Sequence, residues 1–277
     1  MISLLSELPL YVWVNIGLLL GATLICLLLW GIAVGTQALG RPSGKVSLPR
    51  ITRFAGSSFP TLADELYTLL FLLFYAYCCL SSAIPSTRGE STAMQVWYAN
   101  IVNTLIYLPF LLRYMSLPPT EAAARKRSLL LVLLALCGIY LYCSILGACG
   151  VEKWLTQLTD TPVNQDITNM MANETEPATL AALCFGSVII APVVEEIAFR
   201  GFLYNILRQR VGIFAACVAS SLLFASIHMA LVQALPLFGF AVLECVIYEK
   251  TRSLRYCILL HMLFNSISSI AIISTSA

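Results

Sequence analysis

Ala191-Pro192-Val193-Val194-Glu195-Glu196-Ile197-Ala198-Phe199-Arg200-Gly201 sets two adjacent carboxylates and a guanidinium inside an apolar segment long enough to span a membrane. A charge at the bilayer centre costs from about 3 kcal/mol on insertion scales to roughly 10 or more in simulations. Three ionisable groups in such a place mark a functional site. Helix geometry sorts them. Glu196 and Arg200 are four residues apart, share a face and can pair. Glu195 is rotated by about 100° from Glu196 and points elsewhere, so its own helix leaves it without a cation.

The rest of the chain sets this stretch in its class. Of 277 residues, 59% are hydrophobic and 11% charged, and the mean hydropathy is +0.86. Soluble domains carry about a quarter charged residues. The expected fold class is therefore all-α: a polytopic membrane helix bundle of about eight transmembrane helices. A net charge of +2 gives no basic surface for nucleic acid, and no Gly-rich phosphate loop is present. The partner that composition implies is membrane lipid.

Apolar runs place the spans at 10–36, 62–83, 94–115, 128–149, 178–206, 213–232, 236–248 and 256–274. The first is too long for a signal-peptide core, and Glu7 stands where a positive charge would be expected. Asp64 and Glu65 begin the second, where the helix dipole favours acids. Pro109 is expected to kink the third. Pro118-Pro119 separates the third from the fourth. Residues 150–177 carry Asp160, Asp166, Glu174 and Glu176 against Lys153, and read as a loop with a short surface helix near Trp154. Two regions result: four spans plus this loop over 1–177, and a four-helix core over 178–277.

Basic residues test the count. Counting Arg113, the connections after spans one, three, five and seven hold four, four, two and three Lys or Arg, while those after two, four and six hold one, one and none. Cytoplasmic loops concentrate these residues. Eight spans with both termini extracytoplasmic satisfy the alternation, and a bacterial cytoplasmic membrane is the expected setting. The ten cysteines lie almost all within spans without C-x-x-C spacing, and read as small apolar packing residues.

The chain has only two histidines, both in later apolar segments. Phe224-Ala225-Ser226-Ile227-His228 carries one; His261-Met262-Leu263-Phe264-Asn265 carries the other, with Asn265 on the same helix face. Glu-Glu-x-x-x-Arg, then Phe-x-x-x-His, then His-x-x-x-Asn resembles the CPBP family of intramembrane proteases. That family includes the type II CAAX prenyl endopeptidases and relatives linked to bacteriocin immunity. The resemblance covers roughly residues 178–270. It implies an intramembrane endopeptidase acting on a peptide or membrane-associated protein substrate, whose first glutamate and first histidine, here Glu195 and His228, hold the water. It assigns the oxyanion to His261 and Asn265, and the geometry of the site to Glu196 and Arg200.

The residues themselves allow that chemistry. Burial makes a carboxylate a better proton acceptor near neutrality, so Glu195 is the candidate base. His228 is suited to share the water or to protonate the leaving amine. His261 and Asn265 are suited to donate to an oxyanion. Helix rise sets Glu195 and His228 both roughly 22–25 Å from the turn near Gly212, with His261 matched more loosely. No cofactor is expected. One alternative is a zinc protease using Glu195, His228 and His261, a set that suits the metal. Another is a non-enzymatic scaffold or proton-coupled transporter, since buried carboxylates also relay protons. Glu244 is an extra acid in span seven outside the motif, with Tyr248 one turn on as an available partner.

Overall fold

A computed structural model describes residues 9–38, 61–82, 93–116, 125–159 and 166–276. The basic loop at 39–60, the turn around Arg88, the Pro118-Pro119 segment and Asp160 lie outside the described residues, as do the side chains of Cys78 and Cys79. Everything regular that is described is helical: α1 Leu10–Ala38, α2 Leu62–Ser82, α3 Ala93–Ser116, α4 Arg125–Ala148, α5 Val151–Thr159, α6 Asp166–Asn173, α7 Pro177–Val211, α8 Ile213–Ile227, α9 Leu231–Thr251 and α10 Leu254–Ser276. The chain is a polytopic helical membrane bundle. Leu10–Ile32, Ser128–Ala148, Pro177–Val211, Leu231–Thr251 and Leu254–Thr275 are long and apolar enough to cross a bilayer, and Ile213–Ser226 is a shorter apolar helix.

Local chemistry explains the element ends. Thr61 and Asp64 cap α2 reciprocally: Thr61 N donates to Asp64 Oδ2 at 2.9 Å, and Asp64 N to Thr61 Oγ1 at 3.2 Å. Glu176 caps α7 by accepting from Thr179 N at 3.1 Å, with Pro177 in the first turn. Gly212, at φ 89°, takes the left-handed turn between α7 and α8.

The α8–α9 junction differs from the sequence expectation. Span six ends at Ile227 rather than 232, and span seven begins at Leu231 rather than at Pro236. Met229 adopts φ 51°, which ends α8 just after His228. Pro236 falls in the second turn of α9, where a bundle tolerates the missing N–H. The acidic 150–177 region holds two helices, α5 with exposed Trp154 and α6 with buried Met171.

One apolar cluster draws on all eight long helices, among them Leu19, Phe71, Tyr107, Ile139, Phe202 and Phe240. Ion pairs tie its ends. Arg113 Nε donates to Asp64 Oδ1 at 2.8 Å, joining the end of α3 to the start of α2. Glu65 accepts from Trp30 Nε1 at 2.8 Å and pairs with Arg210, joining α1, α2 and α7. Glu249 receives Arg252 at 2.8 Å and Arg208 at 3.2 Å, joining the α7–α8 and α9–α10 turns. The ends of α1, α2 and α3 thus meet the end of α7, and the α7–α8 turn meets the α9–α10 turn.

Candidate active site

Helix α7 is not uniform. It is α-helical over Pro177–Phe185, widens to π-helical turns over Gly186–Ile190, and returns to α over Ala191–Glu196. It widens again over Ile197–Leu203 before Tyr204–Val211 closes it as α-helix. Such wide turns mark functional segments. Both glutamates sit on the short α stretch between them, and Arg200 sits in the second wide stretch.

Proline chemistry accounts for one orphan of the first wide stretch. Ala191 donates to Gly186 O, five residues back. Pro192 has no N–H to extend that pattern to Ser187. Asn265 Nδ2, from α10, donates to Ser187 O instead, at 2.8 Å. In the second stretch, Asn205 Nδ2 reaches Arg200 O at 2.7 Å and Gly201 O at 3.1 Å, and lies 2.8 Å from Tyr248 Oη. Tyr248 therefore faces Asn205, not Glu244. A Cβ at Gly186 would meet Asn100 Oδ1 at 2.4 Å, so a larger residue there must push aside the amide that donates to Ala182 O at 3.1 Å.

The polar centre is built on Glu196, which has no solvent exposure. Its Oε1 accepts from Arg200 Nη1 at 2.8 Å and lies 2.9 Å from His261 Nδ1. A carboxylate oxygen only accepts, so that imidazole carries a proton on Nδ1. The other nitrogen, His261 Nε2, faces Glu195 Oε2 at 4.0 Å. Glu195 is the more open carboxylate, its side chain 13% exposed. Arg200 is held further by Ala241 O at 3.4 Å and by the Phe224 face, 4.6 Å from the ring centre.

His228 closes the site from the end of α8. Its Nδ1 lies 2.7 Å from Phe224 O. A carbonyl accepts only, so this nitrogen is also the protonated one and Nε2 is left for chemistry. Glu195, His261 and Arg200 are the titratable groups around it. Phe224 packs against both histidine rings, with centroids at 4.9 Å for His228 and 5.9 Å for His261. Phe240 covers His261 from α9 at 5.0 Å.

Glu195, Glu196, Arg200, His228 and His261 thus converge from three helices. Asn265 stands one turn beyond His261 with one of its two amide hydrogens committed to Ser187. Sequence reasoning left out Cys257 and placed Glu244 outside the set. Glu196, Glu244 and Cys257 are all buried, and their ligand-type atoms lie within 4.8 Å of one another. The signal for Glu244 was an unexplained acid in a span; Cys257 gave none.

A buried carboxylate–histidine centre in a helical membrane bundle is a costly arrangement that marks a functional site. Residues 177–267 match the family model described as Rce1-like, type II CAAX prenyl endopeptidase Rce1-like. The match runs from the start of α7 into α10, about a third of the chain, and makes it similar over that stretch to a family of proteases. Comparisons with curated proteins and with solved structures gave no match.

Proposed function

We propose that this protein is an intramembrane endopeptidase of the CAAX type, in which Glu195 activates a water. The observation that carries this reading is the pinning of both histidines. Each has Nδ1 tied back to an acceptor, which turns His261 Nε2 toward Glu195 and leaves His228 Nε2 for the reaction.

Glu195 takes one proton from water, and the hydroxide forms a bond to the scissile carbonyl carbon. His228 Nε2 orients the same water. The oxyanion is met by the second amide hydrogen of Asn265 and by His261 Nε2, which donates when the ring is an imidazolium. The proton held by Glu195 passes to the leaving amine as the C–N bond breaks. Arg200 fixes Glu196. The substrate is a peptide bond of a membrane-associated protein or peptide. By the concentration of Lys and Arg, the basic connections are assigned to the cytoplasm and both termini to the outside; reporter fusions at Glu174 and Arg125 should then report opposite sides, and equal signals would reject this orientation.

Glu195→Gln keeps shape and cannot take a proton. Turnover of a membrane-tethered peptide should fall by about 10²–10⁴-fold, with thermal unfolding unchanged. Activity retained in this variant would sink the glutamate mechanism. Activity should also survive strong chelators. One zinc per chain, with activity lost on its removal, would instead favour the set Glu195, His228 and His261.

A further inference from the structure

Glu244 is a fully buried acid that the proposed mechanism does not use. It lies in the middle of α9 with no solvent exposure, and neither of its carboxyl oxygens has a hydrogen-bond partner among the described residues. Across from it, Glu196 spends Oε1 on Arg200 and His261, and its Oε2 is likewise without a partner. The two carboxyl groups and Cys257 Sγ lie within 4.8 Å of one another.

The charges around this pocket do not accommodate a second free carboxylate beside Glu196. Helix α7 contributes Glu195, Glu196 and Arg200; α8 contributes His228; α10 contributes His261 and Cys257; α9 contributes Glu244 itself. Arg200 is bound to Glu196 at 2.8 Å, and His261 lies between Glu196 at 2.9 Å and Glu195 at 4.0 Å. Cys257 Sγ sits 3.6 Å from Glu244 O, the approach of a thiol donating to a carbonyl. An unpaired buried carboxylate is strongly disfavoured, while a neutral carboxylic acid becomes a hydrogen-bond donor.

We propose that Glu244 is a positioning residue: a neutral carboxylic acid whose hydroxyl serves the free oxygen of Glu196, directly or across one water. Glu196 is then satisfied on both oxygens, and the chain from Arg200 through Glu196 to His261 is held in one geometry. This inference rests on the proteolytic reading for its consequence, and on geometry for the shared proton.

Infrared difference spectroscopy reads the proton without reference to turnover. Purified protein in lipid should show the carbonyl stretch of a protonated carboxylic acid. The band should shift in D2O, vanish in Glu244→Gln, and change frequency in Glu196→Gln, which removes its hydrogen-bond partner. Glu244→Gln keeps a neutral donor of the same length and should lose less than about tenfold in kcat. Glu244→Leu keeps bulk without a donor and should lose about 10–100-fold, the scale seen for groups that orient catalytic ligands. If Glu244→Leu does not fold, the band in the other variants still decides. Absence of the band, or stoichiometric zinc that Glu244→Gln abolishes, overturns the proposal. So does a Glu244→Gln enzyme as inactive as Glu195→Gln, because an ionised carboxylate would then be required. A protein that has the band and cleaves no peptide would sink the proteolytic reading while the shared proton stands.

Discussion

Helices α4 and α9 pack against each other and obey opposite rules. The α4 span has a mean hydropathy of 2.6 with 17% of its window buried, and the α9 span 1.9 with 44% buried. In water the more apolar helix would be the inner one. Here the more apolar helix faces outward, with Leu130, Leu133, Leu134 and Leu141 all more than half exposed. Lipid tails are as apolar as leucine, so burial in protein is reserved for helices that carry something lipid cannot satisfy. Helix α9 carries Glu244 and offers Ala241 O to Arg200. The difference predicts that substitutions at the polar positions of the inner helices act through polar satisfaction, and those on the outer face of α4 act hardly at all.

The largest effect should come from the buried pair that faces α9. Glu196→Gln leaves Arg200 buried without its counter-charge, and breaking such a pair costs about 3–5 kcal/mol. It also removes the acceptor that orients His261 Nδ1. Stability and activity should fall together, unlike Glu195→Gln, which should lose activity alone. Arg200→Gln should resemble Glu196→Gln. The double variant should regain part of the stability and little activity. Thermal unfolding beside peptide cleavage checks all three. A stable but inactive Glu196→Gln beside an active Glu195→Gln would mean that the two carboxylates have exchanged roles.

How much of this could be read from the chain depends on whether the cause was local. Length and apolarity made eight long helical segments legible, because a span must be long and satisfy its backbone internally. The Glu196–Arg200 pair was legible from a spacing of four. The wide turns of α7 were not, since they depend on partners far away in sequence: Asn265 at Ser187 and Tyr248 at Asn205. Pro236 misled for a related reason. As a breaker it argued for the start of span seven, yet the bundle accepts it in the second turn of α9. The tie from His261 to Glu196, and the place of Glu244 across from it, required the helices to be packed before they existed.

A middle-sized effect should come from that long-range satisfaction. Asn265→Ala removes the donor to Ser187 O; leaving a buried carbonyl unsatisfied costs about 1–3 kcal/mol, and this part-buried one belongs at the low end. Pro192→Ala restores a backbone N–H near that carbonyl. Added to Asn265→Ala, it should recover part of the lost thermal stability. It should not recover activity, because the second amide hydrogen of Asn265 is not replaced. Full recovery of cleavage in the double variant would show that Asn265 acts only as a helix tie.

The smallest effects lie along α4, where the contrast with α9 can be tested across their shared contact. Gly239 on α9 faces the Tyr142 ring of α4, and a Cβ at that glycine would meet Tyr142 Cε1 at 2.4 Å. Tyr142 also donates from its hydroxyl to Leu235 O at 3.2 Å. Gly239→Ala must therefore displace a ring that is anchored at its tip, and overpacking of this kind costs about 1–3 kcal/mol. The half-exposed ring has room to move outward, which places the cost at the low end. Tyr142→Ala combined with Gly239→Ala should remove the clash. Leu133→Ala and Leu134→Ala, by contrast, leave no protein cavity, and each should change stability by less than about 0.5 kcal/mol in lipid. Thermal unfolding in nanodiscs orders the set. If the two leucine variants proved as costly as Gly239→Ala, the outer face of α4 would be packed against protein rather than lipid, and the contrast between the two helices would fail.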